Sequence, residues 1–523
     1  MTGLKRYKER YDVVVAGAGF GGIAAALRLA QLGADVLLLE QHNMIGGYET
    51  SFVRGRFEFE ATLHVLMEFG EGLIEKIEQG EPAGQHGRAR RLLVEQLGVD
   101  IEVHRPEDMY HCILSDYGID MKMPFGRQKC IEAIEKLSPG DGEKMAKYLD
   151  VCEEMAEVLE YIESEPKIDI MKILKEHTSF VRLAGYSVAE VNEQFGFSEK
   201  TLQALSCMVG FLGLSFRVIS FPVWAVMMHR YFMEGSFIPE KTSHYLANRA
   251  ELRLRELGVQ IECCAKVERF LTKGNRVVGV EMASGEKIYA KHVLCNALPT
   301  IAITEMLPAE FIPKRMRKLY NVRNLSVAPF ALYLGLDKPA KELGITSYEY
   351  FIADNLDTEK IAEVVKHWVK HPKLVVTCTD TVIPGCVGEG CCHLGFAELY
   401  HTDAMMEALD KYGYQQTNES LANHLIDRFE RDTGTHIREH IEEISIATPS
   451  TFQRYANAMR GNVYGYEQTP VDNVISRTLN KDKERFIKGL DFVGGATFRT
   501  VGVSSVISSG VKVAEDVWAE IGN

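Results

Sequence analysis

The chain opens on a short β-branched run, Tyr11-Asp-Val-Val-Val-Ala16, whose pattern predicts a strand. From Gly21 to Leu32 small and apolar residues recur at helical spacing, and Gly33 ends that helix. A second apolar run, Asp35 to Leu39, stops at Glu40. The period therefore shifts from strand to helix and back, which predicts a βαβ unit at the start of the chain. From about Glu71 to Lys200 the pattern turns helical and charged, and the run Lys144 to Leu159 suits an amphipathic surface helix. Thr242 to Leu257 reads as a helix leading into a strand at Val259 to Cys263, a hairpin around Lys273-Gly274-Asn275 and a strand at Val293 to Asn296. Thr300 to Ser445 mixes apolar strands such as Phe330 to Leu336 with helices; Asp491 to Gly495 reads as a strand and Ser504 to Ile521 as a closing helix.

No repeat or low-complexity linker separates these blocks, so two domains are expected to be interleaved rather than strung in series. Residues 1–70, 241–299 and 446–523 are assigned to a nucleotide-binding domain, and residues 71–240 and 300–445 to a substrate or cap domain.

The 523 residues are 46% hydrophobic, enough for two sizeable cores. A formal net charge of −14 argues against nucleic acid as a partner, because no basic stripe offsets the acidity. The basic residues Lys5, Arg6, Lys8 and Arg10 are not followed by an apolar run of the secretory kind. Eleven cysteines at irregular spacing fit reduced thiols. The apolar stretches Thr201 to Phe216 and Val218 to Met228 both fall short of the roughly 20 residues that span a bilayer. The expectation is a cytoplasmic protein, peripheral to a membrane at most.

Gly17-Ala-Gly19-Phe-Gly-Gly22 places a G-x-G-x-x-G between strand and helix. Gly17, Gly19 and Gly22 permit a tight turn and a close approach to a pyrophosphate, while the helix N-terminus offers unpaired N–H groups. Glu40, at the end of the second strand, suits the hydroxyls of an adenosine ribose. FAD and NAD both use this fingerprint. No second G-x-G-x-x-G follows a later strand, so a separate nicotinamide domain is not expected.

The segment that follows, with Gly46-Gly47, Thr50 to Arg54 and Phe57 to His64, resembles the E-x5-GG element of the amine oxidase and phytoene desaturase flavoprotein superfamily. Gly489 to Phe498, Gly502 and Ser509 to Glu515 resemble its second flavin-contacting stretch. Within the superfamily the chain is most similar to the phytoene desaturase, carotenoid isomerase and retinol saturase branch. The pieces that carry this likeness are Ser51 to Phe57, Gly235 to Gly258 leading into Val267, Val293 to Ala297, Ala447 to Phe452 and Gly461 to Gly465.

The resemblance implies an α/β fold with a glutathione-reductase-like, Rossmann-type FAD-binding domain interleaved with an α+β substrate domain. It implies FAD as cofactor, held by Gly17, Gly19, Gly22, Glu40, Gly46, Gly47, Val267, Gly494, Gly495, Gly502 and Val503. Val267 would hold adenine through its backbone, and the closing helix would point its N-terminus at the flavin pyrimidine. His64 lies where relatives pass the isoalloxazine, as a proton donor or orienting hydrogen bond.

Three departures stand out. Gly495 replaces an acidic residue that bonds the ribityl chain in many relatives. Arg499-Thr-Val-Gly502 replaces Pro-Gly-x-Gly, and its guanidinium suits a substrate carboxylate or a flavin oxygen. Glu234-Gly-Ser replaces the usual glycine pair before the Thr242 helix.

The activity so implied is addition or removal of hydrogen across a carbon–carbon bond of a lipophilic unsaturated substrate, or a flavin-dependent isomerisation without net redox. The apolar segment Ala204 to Met228, with Phe211, Phe216, Phe221 and Trp224, suits the wall of its tunnel. An amine oxidase is the alternative within the superfamily, and a lipid carrier resembling Rab GDP-dissociation inhibitors is the alternative without chemistry. Cys386, Cys391, Cys392 and His393 lack the paired spacing of a structural zinc site and read as a turn before a buried strand; His367 and His371 read as a surface helix.

Overall fold

The computed structural model describes residues 7–62, 65–81, 86–164, 168–212, 214–364, 373–480, 484–495, 497 and 502–522. The βαβ opening is present as strand Arg10–Ala16, helix Phe20–Gln31 and strand Val36–Leu39. Both strands are buried on both faces, which is why they read as continuous apolar runs rather than alternating ones. They belong to a seven-stranded sheet among the described residues, in the order Gln260–Glu262, Val36–Leu39, Arg10–Ala16, Lys287–Cys295, Val277–Met282 and Val267–Thr272. Leu490–Phe492 pairs with the end of Lys287–Cys295, so the last strand of the chain sits beside segments nearly two hundred residues earlier. The hairpin expected around Lys273-Gly274-Asn275 joins the antiparallel pair Val267–Thr272 and Val277–Met282.

The opening helix packs against the closing helix, Val503–Ile521. Small residues make this contact close: a β-carbon at Gly510 would lie 2.3 Å from the Gly21 carbonyl oxygen and 2.9 Å from the Ala24 β-carbon. Arg28 and Glu515 pair at 2.8 Å beside the seam.

A second seven-stranded sheet among the described residues runs Ile441–Ala447, Ala328–Leu336, Cys392–Tyr400, Lys373–Thr377, Glu349–Ala353, Tyr110–Leu114 and Ile119–Met123. Strand Ala328–Leu336 is buried throughout. Phe330, Leu332, Leu334 and Leu336 pack in the core with Leu421, Leu425 and Phe429 of helix Tyr414–Thr433, while Ala331 and Tyr333 pack with Phe57 and Phe59 on the other face. The stretch read as helical from Glu71 to Lys200 contributes Tyr110–Leu114 and the edge strand Ile119–Met123. Their five-residue length, and the alternating exposed positions of the edge strand, concealed them within a helix-rich region.

The amphipathic run from Lys144 lies in helix Asp141–Ser164, but its apolar stripe is core rather than surface trim. Tyr148, Cys152 and Met155 are fully buried in one cluster with Phe221 and Trp224 of helix Phe221–His229. All eleven cysteines are free thiols. Among the described residues no helix is long and apolar enough to cross a membrane.

The close seam between the first and last helices gives a direct expectation. Gly510→Ala forces the helices apart and should cost about 1–3 kcal/mol, as overpacking does, read as a lower denaturation midpoint; an unchanged midpoint would show that the seam tolerates a methyl group.

Candidate functional site: a glycine cradle opening into a largely apolar cavity

The strand Arg10–Ala16 ends at Gly17, whose φ of +103° turns the chain as an L side chain rarely allows. The helix then starts at Gly19 with extended backbone and no side-chain cap, which leaves its first N–H groups to a ligand. Gly19 forms a parallel bridge with Gly46, and the Gly46 N–H donates to the Ala18 carbonyl at 2.8 Å. A β-carbon on Gly47 would sit 2.9 Å from Gly19 Cα, and one on Gly21 would sit 2.7 Å from Gly494 Cα. Three backbone stretches thus converge with no room for side chains.

Glu40 is held in this cradle by two backbone donors. Its carboxylate accepts from the Ala18 N–H and from the His42 N–H, each at 2.8 Å. Each carboxylate oxygen has a second lone pair, so capacity for a ribose hydroxyl remains.

The cradle opens into a cavity of about 540 Å³, within the roughly 300–1,000 Å³ common for small-molecule sites. Of the residues singled out in the sequence, Gly17, Gly19, Glu40, Gly47, Val267, Gly494, Gly495, Gly502 and Val503 line it. Gly22 and Gly46 are not among the lining residues. A β-carbon on Gly22 would meet the Gly17 carbonyl at 2.1 Å, and one on Gly46 would meet the Glu49 carbonyl at 2.6 Å, so both serve chain packing behind the cradle. Gly502 has φ +98° with open space before it, and the closing helix begins there without a side-chain cap. His64 and Arg499 lie outside the described residues, as do His367 and His371.

An apolar part of the wall has Leu159, Phe211, Val223, Val226, Met227 and Tyr231, with Ala331, Tyr333 and Phe396 from the second sheet. Only part of the expected tunnel segment takes this role. Phe216, Phe221 and Trp224 turn into the core, where the Trp224 indole donates to the Tyr148 hydroxyl at 2.9 Å and Phe216 packs edge-on to Trp224.

Asn296, which lies in the Val293 to Ala297 piece, and Glu49 are cavity residues to which the sequence reading gave no individual role. Asn296 follows strand Lys287–Cys295, donates its N–H to the Ala16 carbonyl at 2.9 Å, and stands beside Gly17, Gly19, Gly21 and Gly494. Its position in space depends on strand pairing, so spacing along the chain carried no signal for it.

Glu49 is the second. It lines the cavity half-buried, and desolvation by the surrounding protein, reinforced by the nearby Glu60 carboxylate, pushes its carboxyl up to about 8. Glu60 is itself bound to the Ser243 N–H at 2.7 Å and to the Ser243 hydroxyl. Arg230 also reaches the cavity and pairs with the buried Glu68 at 2.9 Å.

The uncapped helix starts, the close-packed glycines and the bonded Glu40 fit a dinucleotide with its pyrophosphate over Gly17 to Phe20 and its adenosine toward Glu40 and Val267. The comparisons agree on the cofactor. Residues 12–119 match the family described as FAD dependent oxidoreductase. The cofactor is FAD, and the protein is an enzyme of the flavin-dependent oxidoreductase class. A carrier without chemistry is thereby set aside.

More particularly, the chain resembles the phytoene desaturase, carotenoid isomerase and retinol saturase branch. It is 23% identical to all-trans-retinol 13,14-reductase of Danio rerio, over 88% of this chain and 78% of that protein. It is 24% identical to 4,4'-diaponeurosporene oxygenase of Staphylococcus aureus, over 97% and 98%. Its identity to the chloroplastic prolycopene isomerase of Daucus carota is 21%, over 100% and 82%. Among solved structures, an oxidoreductase from Methanosarcina mazei superposes with a TM-score of 0.65 at 16% identity, covering 96% of this chain and 100% of the other. A putrescine oxidase gives 0.64 at 13% identity, covering 98% and 99%. These superpositions establish the mixed α/β fold of FAD-dependent oxidoreductases and amine oxidases.

Because Gly19 has a neighbouring amide 2.9 Å from where its β-carbon would stand, Gly19→Trp must fill the cradle. The purified variant should lose its flavin absorption while keeping its far-ultraviolet circular dichroism; stoichiometric flavin in it would place the pyrophosphate elsewhere.

Proposed function

We propose that the protein adds or removes hydrogen across a carbon–carbon bond of a lipophilic unsaturated substrate such as a polyene, retinoid or unsaturated fatty acid. The observation that carries this reading is the continuity of the glycine cradle with a largely apolar cavity that contains a carboxyl group able to keep its proton at neutral pH. Bound FAD supplies hydride transfer. The residues of the chain supply the rest: the glycine loops and Glu40 hold the cofactor, the aromatic and aliphatic wall orients the substrate and excludes water, and Glu49 exchanges the proton.

Saturation of a double bond needs one hydride and one proton, and desaturation returns both. Glu49 at its carboxyl oxygen balances either direction. By the family resemblance His64, as proton donor or orienting hydrogen bond, and Arg499, as partner of a substrate carboxylate or a flavin oxygen, complete the proposed set. The proposed division assigns the cofactor to residues 1–70, 241–299 and 446–523, and the substrate wall largely to residues 71–240 and 300–445.

The named activities of the relatives, a retinol reductase and a prolycopene isomerase among them, support a polyene or retinoid substrate. They also keep an isomerase in view. A proton added at one carbon and removed at another moves a double bond without net redox, through the same carboxyl.

Contact with a membrane surface belongs to the same reading. Ile170, Met171, Leu174 and Val181 are exposed on the consecutive helices Ile170–Glu176 and Thr178–Leu183. Binding to phospholipid vesicles should be lost in Ile170→Glu/Leu174→Glu; co-sedimentation that is absent in the parent protein removes the membrane from the reading.

Glu49 provides the catalytic test. Its carboxyl keeps the proton below a pH of about 8 and loses it above. Turnover in the saturating direction is therefore flat at neutral pH and falls on the alkaline side, and the desaturating direction rises there. Glu49→Gln should retain FAD, lower turnover by about 100-fold or more as loss of a positioned acid does, and abolish that limb of the profile. A reduced enzyme that is reoxidised by unsaturated lipids equally fast with and without Glu49 would remove the carboxyl from the mechanism.

A further inference from the structure

Behind the cavity wall lies a cluster that the proposed redox chemistry does not use. Strand Lys373–Thr377 ends in the turn Thr379–Thr381, the chain loops through Cys386, and it returns as strand Cys392–Tyr400. The two strands pair at Thr377 and Gly395, which closes the loop on itself. This brings Asp380, Cys386 and His393 together, with one ligand atom of each within 4.8 Å of the others. Asp380 and His393 are 6% and 3% exposed.

The three donors stand within reach of one small cation, once the Asp380 carboxylate turns a single oxygen to both neighbours. Cys386 Sγ lies 3.7 Å from Asp380 Oδ1, and His393 Nδ1 lies 3.3 Å from Asp380 Oδ2. Tetrahedral zinc with Zn–S of about 2.3 Å and Zn–N and Zn–O of about 2.0 Å sets donor separations of roughly 3.5 Å and 3.3 Å. His393 Nδ1 is buried, has the Asp380 carboxylate as its charged neighbour, and makes no hydrogen bond of good geometry among the described residues. The Asp380 carboxylate is meanwhile oriented by the His393 backbone N–H at 3.1 Å. The other comparable cluster, Glu102, His104 and Glu240, is open to solvent, and its imidazole is already bonded to Glu240.

We propose that Asp380, Cys386 and His393 form a binding site for a divalent cation of the zinc class, which clips the 378–393 loop to the sheet behind the cavity. One thiolate, one imidazole and one carboxylate are the donor set that such a borderline-soft ion takes, with a fourth position left open. Calcium and magnesium, which require an all-oxygen shell, are excluded by the same set. Sequence spacing did not show the site, because its carboxylate precedes the cysteine cluster and joins it through strand pairing. The His393 ring lines the cavity and meets Phe59 edge-on at 6.1 Å, so the cation fixes one element of the substrate wall.

The test uses the full-length flavoprotein, stripped with a chelator and titrated with Zn²⁺ by calorimetry and with Co²⁺ by absorption. The site predicts one tightly held equivalent, a thiolate-to-cobalt charge-transfer band, and a rise in thermal midpoint on loading. Cys386→Ser, His393→Gln and Asp380→Asn should each weaken binding by about tenfold or more, whereas Cys264→Ser, which removes an exposed thiol elsewhere, should not. Equal zinc binding by Cys386→Ser, His393→Gln and the parent protein, or no stoichiometric binding by the parent, overturns the proposal. The three substitutions are independent, so one that fails to fold leaves two to decide. Because the readout is metal content and not turnover, it is separate from the fate of the redox assignment.

Discussion

The structure depends on one steric constraint: three lengths of backbone, drawn from both ends of the chain, must touch where no β-carbon fits. Gly19 and Gly21 at the start of the first helix, Gly46-Gly47 after the second strand, and Gly494 after the last strand occupy that point, with the Asn296 side chain wedged among them. Any side chain there would push the start of the first helix away from the glycine that follows the last strand. The closing helix repeats the constraint on the far side, since Gly510 admits the Gly21 carbonyl. This is why a site built from residues 17–47 needs residues 490–510 to exist at all.

From that junction the rest of the molecule is arranged by what it must keep dry. The first sheet carries the cradle; the second turns Ala331 and Tyr333 toward the cavity and its alternate residues into a core of its own. The helices that contribute Leu159, Val223 and Val226 close the space from the other side. Desolvation is what raises the Glu49 carboxyl, and the Glu60 carboxylate adds to it.

What the sequence made legible was local. The βαβ opening, the Gly17-to-Gly22 loop, Glu40, the Lys273-Gly274-Asn275 hairpin and the closing helix are each encoded within a few residues, and the structure has them all. Asn296, Glu49 and Asp380 were illegible for the opposite reason, since each acquires its role from neighbours in space. The aromatic stretch near Trp224 shows the same limit. Phe211 faces the cavity and Phe216, Phe221 and Trp224 face the core, a division set by helix orientation that composition cannot encode. Gly22 and Gly46 belong to the motifs yet stand behind the cradle, because a fingerprint specifies the packing of a turn as well as its contact with a ligand.

The state of Glu49 also bears on which substrates the cavity suits. An amine entering as an ammonium ion would take the proton balance the other way: it would hold Glu49 ionised and bury an ion pair, whose desolvation offsets much of its attraction. A neutral, unsaturated hydrocarbon chain leaves Glu49 protonated and gains apolar contact with Leu159, Phe211, Val226 and Met227, roughly 25 cal/mol for each Å² removed from water. The putrescine oxidase fold is thus shared without its chemistry being implied. On the proposed reading, the protonated carboxyl and the largely apolar lining both suit a lipophilic substrate better than a charged one.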